Sequence, residues 1–299
     1  MRKINVIVDL PGGLGNQLFS YFFSRYCQRF LNANVRYWLN TQYLDKFHSN
    51  GKSTLEDFRL PNDVQFFNFG YLLNRIFEPI KRYLHLLNHM PFLQILVLDD
   101  SKLKLSSEAL DKLLRDRSPK FIFIFGFWQN LNYLNDFEMP ELKKSNPQYL
   151  ELRGEMREQL PIIFHYRLGK KNGKWEHGWG ALDSKYLSKA LIAMSSEISS
   201  LQHKEIWVFS NDLQEARIQL QNNTKLRFID DSGLSPAELL SLLSQSRFLI
   251  CSNSTFSVLA AKIGRVGTVV VPDRMSKNSM HSIEGISNSW ILVSSSWLD

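Results

Sequence analysis

The chain has 299 residues, 44% hydrophobic and 22% charged, which is enough for a sizeable core and for two domains. No stretch approaches the roughly eighteen apolar residues of a membrane span, and the opening MRKINVIVDLPGG has too short an apolar run for a secretory signal, so a soluble cytoplasmic protein is expected. Two cysteines, Cys27 and Cys251, lie far apart in apolar surroundings and exclude a disulfide scaffold, while the net charge of +7 and pI near 9.3 point to anionic partners: nucleotide phosphates, a membrane surface or nucleic acid.

Taken in chain order, Ile4–Val8 is β-branched and reads as a strand. PGGLGNQ follows, and then Leu18, Phe19, Phe22, Phe23, Tyr26, Cys27 and Phe30 recur at helical spacing. Strand, glycine turn and helix make the first half of a βα unit. Val35–Leu39, Ile95–Asp100 and Phe121–Phe125 are the next strands, with a helix near Ser106–Leu114. The pattern from about Gln42 to Met90 is weak and reads as helices and loops.

From Pro161 the alternation is cleaner. PIIFHYR is a strand ending at Arg167, and SKYLSKALIAM a helix with Tyr186, Leu187, Ala190, Leu191 and Met194 on one side. EIWVFS is a strand leading to a helix capped by Asp212, with Glu215 three positions on. After a short strand at Arg227–Ile229, Ser235, Pro236 and Glu238 open a helix that runs to about Gln245. FLICS is a strand, NST a tight turn, FSVLAAKIG a helix closed by Gly264, and TVVVP a last strand. This alternation predicts an α/β protein with parallel sheets covered by helices, in two Rossmann-like domains: 1–155 and 156–299, facing a cleft.

Ligands of open α/β sheets bind beyond the carboxyl ends of strands, where free N–H groups of helix N-termini favour anions. Four polar clusters occupy that place here: Gly12–Gln17, His165–Lys171, Ser210–Asp212 and Asn253–Ser257. The glycine loop is neither a dinucleotide fingerprint, which needs a further glycine near Leu18, nor a P-loop, since no Gly-Lys-Ser/Thr follows. Arg167 carries a planar fork suited to a diphosphate. His165, two residues earlier, lies on the same side of its strand, and NSTFS offers hydroxyls and N–H groups at a helix start. Each has an ordinary structural alternative: a surface ion pair, a satisfied core histidine, N-capping.

In order and spacing, GGLGNQLF, HYR followed by glycine, GFWQNLNYL (Gly126–Leu134), VFSND (Val208–Asp212), LLSQSRFLICSNSTFSVLAA (Leu242–Ala261) and the closing SNSWILV resemble the bacterial α-1,2-fucosyltransferases, glycosyltransferase family 11. The resemblance spans most of the chain. It implies a GT-B fold whose C-terminal domain holds GDP-fucose and whose N-terminal domain largely receives the acceptor. It also implies an inverting transfer that needs no metal; no D-x-D motif is present. On this reading Arg167 grips the diphosphate together with Asn253, Ser254, Thr255 and Ser257. Gly13, Gly15 and Asn16 let backbone approach the ligand, and Asp212 lies on the donor side. The implied acceptor is a galactose-containing oligosaccharide or lipid-linked precursor of surface polysaccharide, at the cytoplasmic membrane face. Nucleic-acid binding is not expected, because the basic residues are scattered.

The chain departs from the family in four places. The His-x-Arg motif has Lys170 where the family has Asp, so Glu176 becomes the candidate base, alongside His165 and Arg167 as the other candidate catalytic residues, with His177 and Asp183 as substitutes for Glu176. Leu239 takes the position of the acid that meets guanine, with Glu238 one earlier. Val258 and Leu259 replace two tryptophans. Two alternatives therefore stand beside GDP-fucose transfer: another nucleotide sugar, or a non-catalytic sugar-nucleotide or glycan-binding protein.

Overall fold

The computed structural model describes residues 2–31, 33–40, 54–67, 83–90, 93–101, 106–168, 170–171, 174–175, 180–198, 200–221, 225–278 and 283–298. It divides into two compact units, Met1–Asp136 and Phe137–Asp299.

The first unit is built on strands β1 (Lys3–Asp9), β2 (Asn34–Asn40), β3 (Val64–Phe67), β4 (Ile95–Asp99) and β5 (Phe121–Phe125). They form one sheet in the order β3-β2-β1-β5-β4, every neighbouring pair parallel. Ile4, Val6 and Val8 of β1 are buried, as are Ile122 and Ile124 of β5, which is why these β-branched runs sit at the sheet centre. Helix α1 (Leu14–Gln28) follows the glycines and buries Leu18, Phe19, Phe22, Phe23 and Cys27, the face that the helical spacing marks out. The Arg25–Asp63 ion pair at 2.7 Å ties it to the approach to β3. Strand β3 falls within the weakly patterned stretch read as helices and loops; its VQFF is too short to show a period. Helix α2 (Ser107–Arg117) begins as the sequence indicates, with Ser106 Oγ accepting from Ala109 N.

In the second unit, helix α3 (Pro147–Gln159) precedes strand β6 (Ile162–Tyr166), and the short antiparallel hairpin β7 (Lys170–Lys171) and β8 (Lys174–Trp175) follows. That hairpin lies where a polar loop is expected; its sequence signal is Asn172-Gly173 between the paired residues. Then come helix α4 (Ser184–Ser195), β9 (Ile206–Ser210), helix α5 (Leu213–Gln219), β10 (Leu226–Phe228), helix α6 (Pro236–Ser244), β11 (Phe248–Cys251), helix α7 (Thr255–Gly264), β12 (Thr268–Pro272) and β13 (Ile291–Val293). The sheet order is β10-β9-β6-β11-β12-β13, all parallel. Counted within the unit this is 3-2-1-4-5-6, the doubly wound order, with its reversal between β6 and β11.

The second unit begins at Phe137, ahead of the boundary at 155/156 read from the sequence. Helix α3 is the reason: it packs on α6 through Asn146, whose backbone N and side chain both donate to Glu238, and through Tyr149, whose hydroxyl meets Ser241 Oγ at 3.1 Å.

The end of α7 corrects one reading. Gly264 is the last helical residue, and the left-handed residue that closes the helix is Arg265, at φ 53°. A Cβ on Gly264 would lie 2.0 Å from Ser244 O at the end of α6, so this glycine serves close helix packing and not the cap. Gly264→Ala should therefore cost several kcal/mol, because the obstacle is backbone. Arg265→Gly should raise stability by about 0.5–1 kcal/mol by relieving the left-handed strain. Urea denaturation of the three proteins measures both, and equal midpoints for Gly264→Ala and the parent would contradict the packing argument.

Candidate functional site

The carboxyl ends of β6, β9 and β11 lie side by side, and the reversal between β6 and β11 is where such sheets open a crevice. Strand β6 is buried along its whole length, so it cannot end by turning its last peptide groups to water. Side chains from both neighbouring strands receive them. Arg167 N donates to Ser252 Oγ at 3.2 Å, after β11. Leu168 N donates to Asn211 Oδ1 at 2.8 Å, after β9, while Asn211 Nδ2 donates back to Leu168 O at 2.8 Å. Leu168 is buried by this pairing and Arg167 is turned outward, exposed, at the reversal point. Asn211 falls inside the Ser210–Asp212 cluster but was given no role of its own, and Ser252 stands one residue ahead of the Asn253–Ser257 cluster. Their signal was position alone: polar residues directly after buried strands.

Beside Arg167 starts α7. Ser254 is its N-cap, with Oγ accepting from Phe256 N at 3.3 Å. Ser257 Oγ donates to Ser254 O at 3.3 Å and is fully enclosed. Thr255, the residue after Ser254, is partly exposed. Asn253 Nδ2 donates to Gly180 O at 3.1 Å, which fixes the chain segment leading into α4. The same segment is held from the other side by the chain's last residues: Asp183 N donates to Ser296 O and Leu298 N to Ala181 O. Arg167 and the N-terminus of α7 thus supply a guanidinium and a helix-dipole end on neighbouring strands.

His165 is buried, its ring 5.4 Å from that of Phe256, and its Nδ1 has no hydrogen-bond partner among the described residues. Burial, reinforced by the Arg167 charge, holds its pKa down to about 3, so the imidazole is neutral at physiological pH. Asp212 caps α5, Oδ1 accepting from Glu215 N at 3.0 Å.

The acids considered for other roles divide clearly. Glu176 and His177 lie outside the described residues. Asp183 caps α4 through Tyr186 N at 3.1 Å and accepts from Ser296 Oγ at 2.7 Å. Glu238 is buried and closes the capping box with Ser235, while also accepting from Asn146 N at 2.7 Å and Asn146 Nδ2 at 3.0 Å. With Ser235 N at 2.9 Å, its two oxygens hold three N–H donors. The two DDS stretches share one local device, an aspartate Oδ1 accepting from the serine N two residues on, at Asp99–Ser101 and Asp230–Ser232. Asp231 is partly buried, which raises its pKa to about 6. Val258 and Leu259 are enclosed in α7.

In the first unit the glycine loop stands at the carboxyl end of β1. The glycine it needs is Gly12, at φ 68°, where a Cβ would also meet Asn16 Nδ2 at 2.8 Å. Gly13 is the N-cap of α1, and a Cβ there would meet nothing within 4 Å. Gly15 is buried inside α1. Gln17 Nε2 donates to Gly12 O, and Asn16 Oδ1 accepts from Gln129 Nε2 at 3.0 Å, linking the loop to GFWQN after β5.

Among the described residues no three His, Cys, Asp or Glu side chains converge as a metal-ligand set, and no helix is long and apolar enough to cross a membrane.

No protein-family description and no curated protein sequence matches this chain. Solved structures similar to it include the ADP-heptose lipopolysaccharide heptosyltransferase II of E. coli, at 12% identity and TM-score 0.48 over 98% of this chain and 90% of that one. Another is the NodZ α-1,6-fucosyltransferase of Bradyrhizobium soaked with GDP-fucose, at 13% identity and TM-score 0.45 over 88% and 93%. A third is a FUT1 variant of Arabidopsis thaliana in complex with GDP, at 12% identity and TM-score 0.49 over 97% and 76%.

The buried histidine has a measurable consequence. Below its ordinary pKa near 6.5 the unfolded chain takes up a proton that folded His165 refuses until about pH 3, so stability falls as pH drops through that window. His165→Gln should remove about 1.4 kcal/mol of that loss per pH unit across the window. Urea midpoints at pH 7 and pH 4.5 check it; equal pH slopes in parent and variant would refute the neutral, buried imidazole.

Proposed function

We propose that this protein is a glycosyltransferase of the GT-B type that binds a nucleotide-diphosphate sugar on its second unit. The observation that carries the reading is the position of Arg167, turned outward at the strand reversal beside the N-terminus of α7, with its backbone fastened to both neighbouring strands. A guanidinium fork and helix-terminal N–H groups are what a departing diphosphate requires as its charge grows. Because the backbone at Arg167 and the start of α7 are fixed before the ligand arrives, less reorganisation accompanies bond cleavage.

Within this reading the donor is GDP-fucose and the acceptor the 2-hydroxyl of a galactose-like residue, in assembly of surface polysaccharide such as O-antigen. The support is the sequence resemblance carried by GGLGNQLF and SNSTFS. The transfer inverts the anomeric centre: the acceptor hydroxyl attacks opposite the leaving diphosphate while a base takes its proton. Glu176 is assigned that role because Lys170 stands where the family has its acid. His165, held neutral, adds no second positive charge behind Arg167. Thr255 and the N–H groups of the α7 start complete the phosphate contacts, with Asn253 shaping the turn. The basic net charge suits peripheral contact with an anionic membrane face, where lipid-linked acceptors reside.

A second reading keeps the reaction and changes the donor sugar nucleotide. It is favoured by Glu238, whose carboxylate is filled by Ser235 and Asn146 and so has little left to offer a guanine edge.

Arg167→Ala should abolish transfer, by about a hundredfold or more, with an unchanged melting temperature; turnover close to that of the parent would remove the diphosphate role. In thermal-shift titrations GDP and GDP-fucose should stabilise the parent more than UDP or ADP ligands, and the reverse order would favour the second reading. Glu176→Gln should lower kcat and erase the acidic limb of its pH profile, whereas an unaltered profile would reassign the base.

A further inference from the structure

In the first unit the strand order reverses between β1 and β5, and the loops after those strands adjoin there. The loop after β5 is held rigidly. Asp100 Oδ2 accepts from Phe127 N at 3.3 Å and Trp128 N at 3.0 Å. Gly126 stands at φ 104°, where a Cβ would lie 2.3 Å from Asp100 Cβ. Trp128 takes φ 51°, stacks on Phe23 at 3.7 Å between ring centroids, and donates Nε1–H to Phe125 O at 2.9 Å.

The ring of Phe127, between these anchored residues, is 43% exposed. Phe121, exposed as well, stands at the opposite, amino end of β5. Two residues on, Gln129 donates to Asn16 Oδ1, which uses one of its two amide protons; its Oε1 and second N–H remain as acceptor and donor. Gly13 on the facing loop brings backbone next to open space.

An exposed ring on an anchored loop, with a carboxamide two residues on, is the chemistry that recognises a sugar ring. The C–H face of a pyranose packs on an aromatic ring, and its hydroxyls exchange hydrogen bonds with an amide that can both give and accept. A phosphate would call for cations instead. We propose that Phe127 and Gln129 form a saccharide subsite on the first unit, which takes the acceptor sugar; the assignment as acceptor rests on the transferase reading, while the subsite does not.

The test uses the full chain with methyl β-galactoside and lactose as probes, followed by saturation-transfer NMR, with GDP and UDP thermal shifts measured in parallel. Galactoside C–H protons should receive saturation. Phe127→Ala should weaken saccharide affinity about tenfold, Phe127→Trp should retain it, and Gln129→Leu should weaken it as well. Nucleotide shifts should be unchanged in all three. Saccharide binding that is absent from the parent, or equal in parent and Phe127→Ala, overturns the subsite, as does loss of nucleotide affinity in Phe127→Ala, which would make the ring a nucleobase platform. Saccharide binding without any nucleotide shift would overturn the transferase reading and leave the subsite standing.

Discussion

A buried strand that stops inside a sheet must pass its last peptide groups to some partner, and in the second unit that constraint shapes everything around it. Leu168 is enclosed, so its N–H and C=O could not be left bare without a cost of about 1–3 kcal/mol each. The Asn211 amide takes both, imitating a strand neighbour for one residue. Ser252 does the same for Arg167 N on the other side. Once these two residues are held, Arg167 has only one way to go, outward at the reversal between β6 and β11. A charge that might have trailed into solvent as a flexible arm begins from a fixed point.

The same economy of buried polar groups decides what the neighbouring residues are available to do. Tyr166 and Tyr186 are buried to their hydroxyls and each donates to a backbone carbonyl, Leu182 O and Cys251 O. Glu238 is filled by the start of α3, so a carboxylate that in isolation would suit recognition serves to dock one helix on another. Ser257 and Asp183 are absorbed in the same way. His165 differs: among the described residues its enclosed Nδ1 has no partner, and burial answers by keeping it uncharged.

Much of this was legible in the sequence. Strands β1, β2, β5, β6, β9, β11 and β12 were readable because each is a run of β-branched and aromatic residues bounded by turn chemistry. The starts of α5 and α6 were readable because capping at Asp212 and Ser235 is local, whereas Asp183, weighed as a base, proves to be the cap of α4. Strands β3 and β13 were not readable, since three or four residues carry no period, and TVVVP is not the last strand; helix α3 was missed as well, and its place in the second unit depends on hydrogen bonds between residues about ninety positions apart. The glycines show the same limit. Three glycines in four residues suggested close approach, yet Gly12 is the one whose φ demands glycine, and Gly264 reads as a cap only until α6 lies against it.

The sequence by itself determined the alternation of strands and helices, the caps, and the placing of four polar clusters after strands, because each follows from the chemistry of residues within a few positions. Only the tertiary structure decided the order 3-2-1-4-5-6, hence which clusters become neighbours. It also decided which polar side chains are spent on buried backbone, and left Arg167 and Phe127 facing outward. The physical reason is that hydrogen-bond satisfaction in an interior is settled between strands brought together from distant parts of the chain, and no local pattern records it.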